Sequence, residues 1–471
     1  MLTKDSTTTD DDSSSRKSGR RDSSSCSSSA DMDESLRTMR RMERRSVAND
    51  LEGLSRLSTD AVKLTTQLVE AQHSRLDWFG KRLFKDRGED KVRGPISAIV
   101  YGSIHAVNGV VGAGLGLAFS VFKPVLGDAT PSKRKDAAIA VLNGVVGDYL
   151  EAEKNPLAIS MQWRTSEGYL LDTDDKLQEL WQESDSQNGR LLLLIHGSCN
   201  TPHDWWQEGI NHGVALAETL DYTPLFLHYN TGLHISDNGK QLASAIDRLA
   251  GSYRQHQQKQ QSSSNKNPLS LAIVAHSMGG LVSRSACYYA EHETEEYNTN
   301  QWLDQVGSFI TLGSPHHGAI LERGGKLVDA VLGAHPYTEP ISWLGKIRSK
   351  GVTDLGYGNV RDEDWYGHTG PTDNRKPAPL PKLVRCLAIA AVLGDVNSSS
   401  NRMLGDNLRT DGLVTQASAL GRGHSNPDLN LVFDEEITIY NQNHIGLLGS
   451  EEAYDAMLSF LLRQGPPGSH L

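Results

Sequence analysis

The chain has 471 residues, of which 37% are apolar and 22% are charged. This length allows two to four domains, or one large domain with appendages. The 58 acidic residues outnumber the 47 basic ones, and the resulting net charge of −11 disfavours a dedicated nucleic-acid binder. The four cysteines have no paired or metal-type spacing, which excludes a disulfide scaffold and a zinc finger and favours a reducing, cytoplasmic setting.

The first 155 residues differ in composition from the rest of the chain. Residues 1–30 hold eleven serines and few large apolar side chains, which predicts disorder. Residues 31–155 predict a helical extension that contains a glycine-rich apolar segment at 94–127. Within that segment, residues 94–122 are uncharged and long enough to cross a bilayer. This hydropathy is compatible with packed small-residue helices, with peripheral membrane contact through residues 35–127 and with a true span.

Residues 156–465 alternate apolar runs with helical spacing, the pattern of βαβ units and a mostly parallel sheet flanked by helices. Apolar runs predict strands at 191–195, 225–228, 269–275, 306–312, 383–392 and 437–440. Helical spacing predicts helices at 133–153, 242–249, 279–292 and 451–462, whereas the polar residues 256–267 predict a loop. Residues 325–381, rich in Gly, Pro, Asp and aromatics, predict an insertion between late strands.

A predicted strand, a tight turn and a predicted helix meet at Ser277. The residues two positions before and after it, Ala275 and Gly279, are small, as the sharp reversal of a nucleophile elbow requires. The turn would expose the serine hydroxyl at the positive end of the helix dipole. An ordinary strand–turn–helix junction is the alternative, but it gives no reason for a serine between His276 and two glycines.

A second apolar strand leads directly into His196 and Gly197. Acyl transfer places negative charge on one oxygen, and two backbone N–H groups must receive it. We predict that these are the amides of Met278, which follows the nucleophile, and of Ser198, in the loop after the early strand. Gly197 would allow close approach of the backbone, and His196 is interpreted as a structural hydrogen-bonding residue.

A serine nucleophile also needs a general base and an acid that orients the base. Among seventeen histidines, His444 follows the last predicted strand, as the chain order serine, acid, histidine requires. Asp411 and Asp395 both lie between Ser277 and His444, and the order alone does not separate them. A turn aspartate that caps its own backbone is the simpler interpretation of either one.

The run ITLGSPHHGA ends a strand at a Gly-Ser-Pro turn followed by His316 and His317. Paired histidines suggest a metal, but no carboxylate or cysteine stands beside them at ligand spacing, so we predict none. We expect the pair to line the pocket rim or to brace this loop against the elbow. No cofactor is expected.

Six stretches together resemble the α/β-hydrolase superfamily, and more closely bacterial lipase/esterase-type members related to the PGAP1-like group, the relatives of GPI inositol deacylase. They are LLLLIHGSCN, PLFLHYNTGLHISDNGKQLA, IVAHSMGGLVSRSACYY, ITLGSPHHGA, DGLV and NHIGLL, between residues 190 and 462. Lipases of this kind often hold the catalytic acid in an Asp-Gly-Leu-Val turn, so the resemblance favours Asp411. The sequence departs from the group at Ala275, where many members have glycine.

The resemblance implies an α/β-hydrolase fold with an N-terminal helical extension. With the residues above, it predicts a carboxylic ester hydrolase of lipid metabolism that cleaves lipid or other hydrophobic acyl esters through an acyl-enzyme. Ser277 would be the nucleophile, His444 the base and Asp411 the acid. An acyltransferase with the same triad and a non-catalytic membrane-associated scaffold on the same fold remain open.

Overall fold

The computed structural model describes residues 52, 53, 56, 133–182, 188–207, 209–259, 267–292, 300–319, 349–366, 373, 375–397, 405 and 408–463. The predicted tail 1–30, the segment 94–127 with its membrane interpretation and residues 325–348 of the predicted insertion lie outside these residues. Within the described ranges, no helix is long and apolar enough to cross a membrane. The predicted division into 1–30, 31–155 and 156–465 stays a prediction.

Ten strands occur in the described residues, and eight of them form one sheet. In chain order they are β1 (Gln162–Arg164), β2 (Leu170–Leu171), β3 (Arg190–Ile195), β4 (Trp206–Gln207), β5 (Ile210–Asn211), β6 (Thr223–His228), β7 (Ser270–His276), β8 (Val306–Leu312), β9 (Arg385–Val392) and β10 (Glu435–Tyr440). The large sheet has the spatial order β10-β9-β8-β7-β3-β6-β1-β2. Neighbours from β10 to β6 are parallel, whereas β1 and β2 extend the sheet in antiparallel fashion. The predicted mostly parallel sheet is therefore confirmed.

Helices flank this sheet, and most of them occupy the connections between parallel strands. They are α1 (Lys133–Ala152), α2 (Asp174–Leu180), α3 (His212–Leu220), α4 (Ile235–Lys259), α5 (Met278–Glu291), α6 (Lys350–Tyr357), α7 (Asp362–Trp365), α8 (Gln416–Ala419) and α9 (Glu451–Leu462). Helix α4 continues through residues 256–259, which the sequence predicts as loop, because glutamine and lysine are good helix formers. Helices α6 and α7 lie in the predicted insertion.

The core lies on both faces of the sheet, as strand β3 shows. Leu191, Leu193 and Ile195 belong to one apolar cluster, which includes side chains of α4 and α5. Leu192 and Leu194 belong to the other cluster, which includes side chains of α3 and α9. All five are fully buried. Because successive strand residues point to opposite faces, a strand covered on both faces needs the continuous apolar run that the sequence shows.

Helix α1 is fastened to the segment that follows it by one buried amide, that of Asn143. Its Nδ2 donates to the carbonyl oxygens of Ile139 at 2.9 Å and Leu157 at 2.8 Å. Its Oδ1 accepts from the amide of Ile159 at 2.9 Å. Backbone groups of residues 157 and 159 that would otherwise lack partners are thereby satisfied, and α1 is held to the chain that leads into β1.

The three cysteines in the described ranges, Cys199, Cys287 and Cys386, are buried free thiols. Burial raises the pKa of Cys199 to about 11 and that of Cys287 to about 12, and it raises the pKa of Cys386 well above its ordinary value. These thiols belong to the packing of the domain.

The Asn143→Ala substitution should lower the free energy of unfolding by about 2–3 kcal/mol, because it leaves buried backbone groups unpaired. Urea unfolding of both proteins measures this difference. Gln241→Ala is the matched control, since Gln241 is an exposed amide on a helix. Its replacement should change the free energy of unfolding by less than about 0.5 kcal/mol. Equal losses in the two variants would contradict the role given to Asn143.

Candidate active site

The residues singled out by the sequence follow the carboxyl ends of parallel strands. Gly197 follows β3, Ser277 follows β7, the Gly313 turn follows β8, and the loop with His444 follows β10. Parallel strands end at the same edge of a sheet, where ligands bind in open α/β folds.

Ser277 lies on a strained turn between β7 and α5. Its backbone has φ of +53° and ψ of −123°, which residues with a side chain rarely adopt. Its amide donates to the Leu312 carbonyl oxygen at 2.8 Å, which fixes the turn against β8. Gly279 must lack a side chain, because a β-carbon there would lie 2.5 Å from the Ile195 carbonyl oxygen.

The loop after β3 packs directly against this turn. A β-carbon on Gly197 would lie 2.9 Å from Ser277 Cβ and 3.2 Å from His276 Nδ1. The amide of Asn200 donates to the Gly197 carbonyl oxygen at 3.3 Å, so residues 197–200 form a turn. Ser198 is the second residue of that turn. Met278 is the first residue of α5, where backbone amides have no partner inside the helix.

The imidazole of His444 is hydrogen-bonded to Asp411. Nδ1 lies 2.7 Å from Asp411 Oδ2, and both side chains are buried, with residue exposures of 4% and 2%. The other carboxylate oxygen of Asp411 accepts from the amides of Leu413 at 2.9 Å and Val414 at 2.8 Å. The amide of His444 also donates to the Asp411 carbonyl oxygen at 3.1 Å. A proton on Nδ1 donated to the carboxylate leaves Nε2 as an acceptor, the tautomer that a general base needs.

Asp395, the other candidate acid, has a different environment. It is exposed beyond the end of β9, and its Oδ1 accepts from the amide of Asn397 at 2.6 Å. This is the geometry of a turn aspartate that caps its own backbone. The hydrogen bond from His444 goes to Asp411.

His276 connects the histidine loop to the elbow. Its Nε2 donates to the His444 carbonyl oxygen at 3.1 Å, and the two rings lie 4.8 Å apart between centroids. On the other side, a β-carbon at Gly313 would lie 3.2 Å from His444 Nδ1. Since His276 directly precedes Ser277, the imidazole of His444 is held beside the elbow.

The histidines that support the site are neutral. Burial lowers the pKa of His276 to about 3 and that of His196 to about 4. His196 stacks on the ring of Tyr229 at 4.6 Å, and its Nδ1 lies 2.9 Å from the Gly197 carbonyl oxygen. The Tyr229 hydroxyl donates to the His196 carbonyl oxygen at 2.8 Å. These contacts hold the end of β3 without adding a charge.

His316 and His317 lie beyond β8 and contact two different elements. His316 is fully buried, and its Nδ1 accepts from Arg284 of α5 at 3.0 Å. Burial lowers the pKa of Arg284 to about 9. The amide of His317 donates to Ser418 Oγ at 3.1 Å, and burial lowers the pKa of its imidazole to about 4. In the part of the chain that the structure describes, no group of three His, Cys, Asp or Glu side chains could hold a metal ion.

Sequence reasoning missed Tyr229, Thr231 and Arg284, which support the site from neighbouring elements. Thr231 Oγ1 accepts from the amide of Cys199 at 3.1 Å. All three lie inside stretches that carry the family resemblance, but no local pattern assigns them a role. They become recognisable only when the strands that hold their partners are placed side by side.

Residues 186–332 match a family model described as "PGAP1-like alpha/beta domain". No curated protein matches the chain. Among solved structures, the chain is similar to Bacillus licheniformis lipase BlEst2 in its mature form, at 18% identity and a TM-score of 0.37, covering 58% of this chain and 92% of that one. Lipase 1 from Pelosinus fermentans is 13% identical with a TM-score of 0.34, covering 59% and 100% of the two chains. Staphylococcus hyicus lipase is also 13% identical with a TM-score of 0.34, covering 59% and 95%.

The described residues therefore have an α/β fold, in which helices flank a mostly parallel sheet of eight strands. The match to the PGAP1-like alpha/beta model covers residues 186–332. The matched range contains the turn at Ser277 and the loop at Ser198, whereas Asp411 and His444 lie beyond it.

Acidification should destabilise the wild-type protein more than a His276→Asn variant. Burial holds the pKa of His276 near 3, whereas an unfolded histidine has a pKa of about 6.5. Between these values only the unfolded state takes up the proton, so stability present above pH 6.5 is lost as the pH falls. Between pH 7 and pH 5 the wild type should lose about 2 kcal/mol more than the variant.

Urea unfolding at each pH measures this loss. The variant lacks the His276 hydrogen bond at both pH values. The contribution of that bond therefore cancels when the loss of unfolding free energy between pH 7 and pH 5 is compared between the two proteins. Parallel pH dependences of the two proteins would show that His276 is protonated equally in the folded and unfolded states.

Proposed function

We propose that the protein is a serine hydrolase that cleaves carboxylic esters, with lipid or other hydrophobic acyl esters as substrates. The observation that carries the proposal is the buried hydrogen bond between His444 and Asp411, beside a serine on a strained strand–helix turn. This pair lies against His276, the residue directly before Ser277, which is the neighbourhood that a serine nucleophile with a general base requires.

In the proposed mechanism, Ser277 Oγ attacks the ester carbonyl carbon while His444 Nε2 takes the hydroxyl proton. Asp411 holds the imidazole in the correct tautomer and stabilises its positive charge. The amides of Ser198 and Met278 receive the oxyanion. Collapse of the tetrahedral intermediate breaks the ester bond, and the leaving alcohol takes its proton from His444.

Water completes the reaction. His444 removes a proton from the water molecule as it attacks the acyl-enzyme carbonyl carbon, and Ser277 leaves with that proton when the second tetrahedral intermediate collapses. Two backbone amides and the imidazole of His444 are hydrogen-bonded to the Asp411 carboxylate, which keeps it in place during both steps. The chain requires no metal or cofactor for these steps.

The preference for hydrophobic esters rests on the surroundings of the reacting groups and on the resemblance to lipases. Ser277 is 7% exposed, and its neighbours His196 and His276 are buried and neutral. A site of this kind removes water from the substrate carbonyl, and an apolar acyl group loses the least hydration on entering it.

A fluorophosphonate probe should label the wild-type protein at Ser277, and Ser277→Ala should abolish both the labelling and ester cleavage. Ser244→Ala is the matched control, because Ser244 is an exposed serine on α4 and should keep full labelling. Mass spectrometry of the labelled peptide and hydrolysis of a short-chain p-nitrophenyl ester provide the measurements. Activity that survives in Ser277→Ala would end the proposal, and a wild type without labelling would favour the scaffold interpretation.

Asp411→Asn should lower kcat by about four orders of magnitude, because an amide at this position favours the wrong tautomer of His444. Asp395→Asn is the matched control and should lie within about twofold of the wild type, since its carboxylate caps an exposed turn. Steady-state kinetics on the same ester compares the two. A larger loss in Asp395→Asn than in Asp411→Asn would reverse the assignment of the acid.

A further inference from the structure

We propose that helix α1, which precedes the sheet in the chain, positions the oxyanion loop. This loop is residues 197–200, which present the Ser198 amide. The inference deepens the proposed function and rests on it, since the loop is an oxyanion loop only if the protein transfers acyl groups. It makes Gly144 a positioning residue for the reaction.

The first observation is a close contact between Gly144 of α1 and Cys199 of the oxyanion loop. A β-carbon added to Gly144 would overlap the Cys199 sulfur and would lie 3.3 Å from Cys199 Cα. Both residues are buried. Only a residue without a side chain allows the helix backbone to approach the loop this closely.

The second observation is that the oxyanion loop has a strained backbone that needs support. Cys199 has φ of +60°, although it is not a glycine. The hydrogen bond from Asn200 to the Gly197 carbonyl oxygen makes Cys199 the third residue of the turn, a position that in type II turns requires positive φ. Such a conformation costs a residue with a β-carbon about 1–2 kcal/mol and persists only where its surroundings impose it.

Cys199 is contacted by residues of two other elements. Thr231 Oγ1 accepts a hydrogen bond from the Cys199 amide at 3.1 Å, and Gly144 lies against the Cys199 side chain. The hydrogen bond from the Asn200 amide to the Gly197 carbonyl oxygen closes the turn around Ser198 and Cys199. A displacement of Cys199 therefore also displaces the Gly197–Ser198 peptide, whose N–H is the Ser198 amide. An oxyanion donor must be aimed before the reaction begins, since it stabilises charge only when prearranged.

The third observation is that α1 is itself anchored to the other loops of this sheet edge. Asn230 Nδ2 donates to the Gly147 carbonyl oxygen at 2.9 Å, and Ser349 Oγ donates to the Gly144 carbonyl oxygen at 2.6 Å. Between these two glycines the helix is kinked at Val146, whose φ is −134° and ψ is 20°. The helix therefore has a defined position relative to the loop that follows β6 and to the start of α6.

The test is Gly144→Ala, alone and combined with Cys199→Gly. The single variant pushes the Cys199 side chain away, and kcat should fall by about 10- to 100-fold, while KM stays within about twofold, because one oxyanion donor is misplaced. The double variant removes the sulfur and supplies a residue that accepts positive φ, so most of the lost kcat should return. Gly251→Ala is the matched control, because a β-carbon at this helical glycine meets only Arg254, at 3.7 Å.

A readout independent of activity accompanies the kinetics. Amide hydrogen exchange of residues 197–200 should become about tenfold faster in Gly144→Ala, while exchange in β9 stays at the wild-type rate. If Gly144→Ala does not fold, Cys199→Ala takes its place. It removes the sulfur without overpacking, and it should accelerate the same exchange and lower kcat about three- to tenfold.

Each outcome decides the proposal. Wild-type kcat and wild-type exchange in the folded variants overturn it, and so does a loss of kcat in Gly144→Ala that Cys199→Gly leaves unchanged. If the wild-type protein cleaves no ester, the proposed function fails, and the exchange of residues 197–200 still decides whether α1 holds this loop.

Discussion

The backbone of Ser277, with φ of +53° and ψ of −123°, is the constraint on which the described site depends. A residue with a side chain in this conformation stores about 1–3 kcal/mol of strain, so the surrounding structure must impose it. Three features do so: the hydrogen bond to the Leu312 carbonyl oxygen, the missing side chain at Gly279 and the contact with Gly197. The first comes from the end of β8, and the other two are contacts with the end of β3, because Gly279 lies against the Ile195 carbonyl oxygen. The turn therefore forms only when β3, β7 and β8 lie side by side.

The same strand ends explain why the imidazole of His444 has a single orientation. The Asp411 carboxylate is hydrogen-bonded to one ring nitrogen, and Gly313 packs against the ring. His276 donates a hydrogen bond to the backbone carbonyl oxygen of His444. Asp411 is fixed in turn by two amides of its own turn. A donor and acceptor pair that is held this completely has little conformational entropy left to lose, which is the physical meaning of preorganisation.

The sequence predicted most of this arrangement because the strongest signals were local. The strand at 306–312 and the helix at 451–462 match their predicted bounds, since long apolar runs and helical spacing are hard to misread. Strands β1 and β2 were missed, because two or three residues show no periodicity. Residue spacing could not decide whether Asp411 or Asp395 contacts His444, since the path of a loop depends on its tertiary contacts. The contact between Gly144 and Cys199 could not be predicted from the sequence either, because 55 positions separate the two residues in the chain.

The burial of the thiols described above has a practical consequence for covalent chemistry. Burial raises the pKa of Cys199 to about 11 and that of Cys287 to about 12, so both side chains are thiols at neutral pH. Peroxide and alkylating reagents attack the thiolate, so these side chains stay unmodified while the domain remains folded. A reagent directed at a serine hydroxyl and a reagent directed at thiols would then both leave Cys199, Cys287 and Cys386 unmodified in the folded domain. In a Cys26→Ser background, a spectroscopic label could be attached at a newly introduced surface cysteine without modifying Cys199, the neighbour of Ser198.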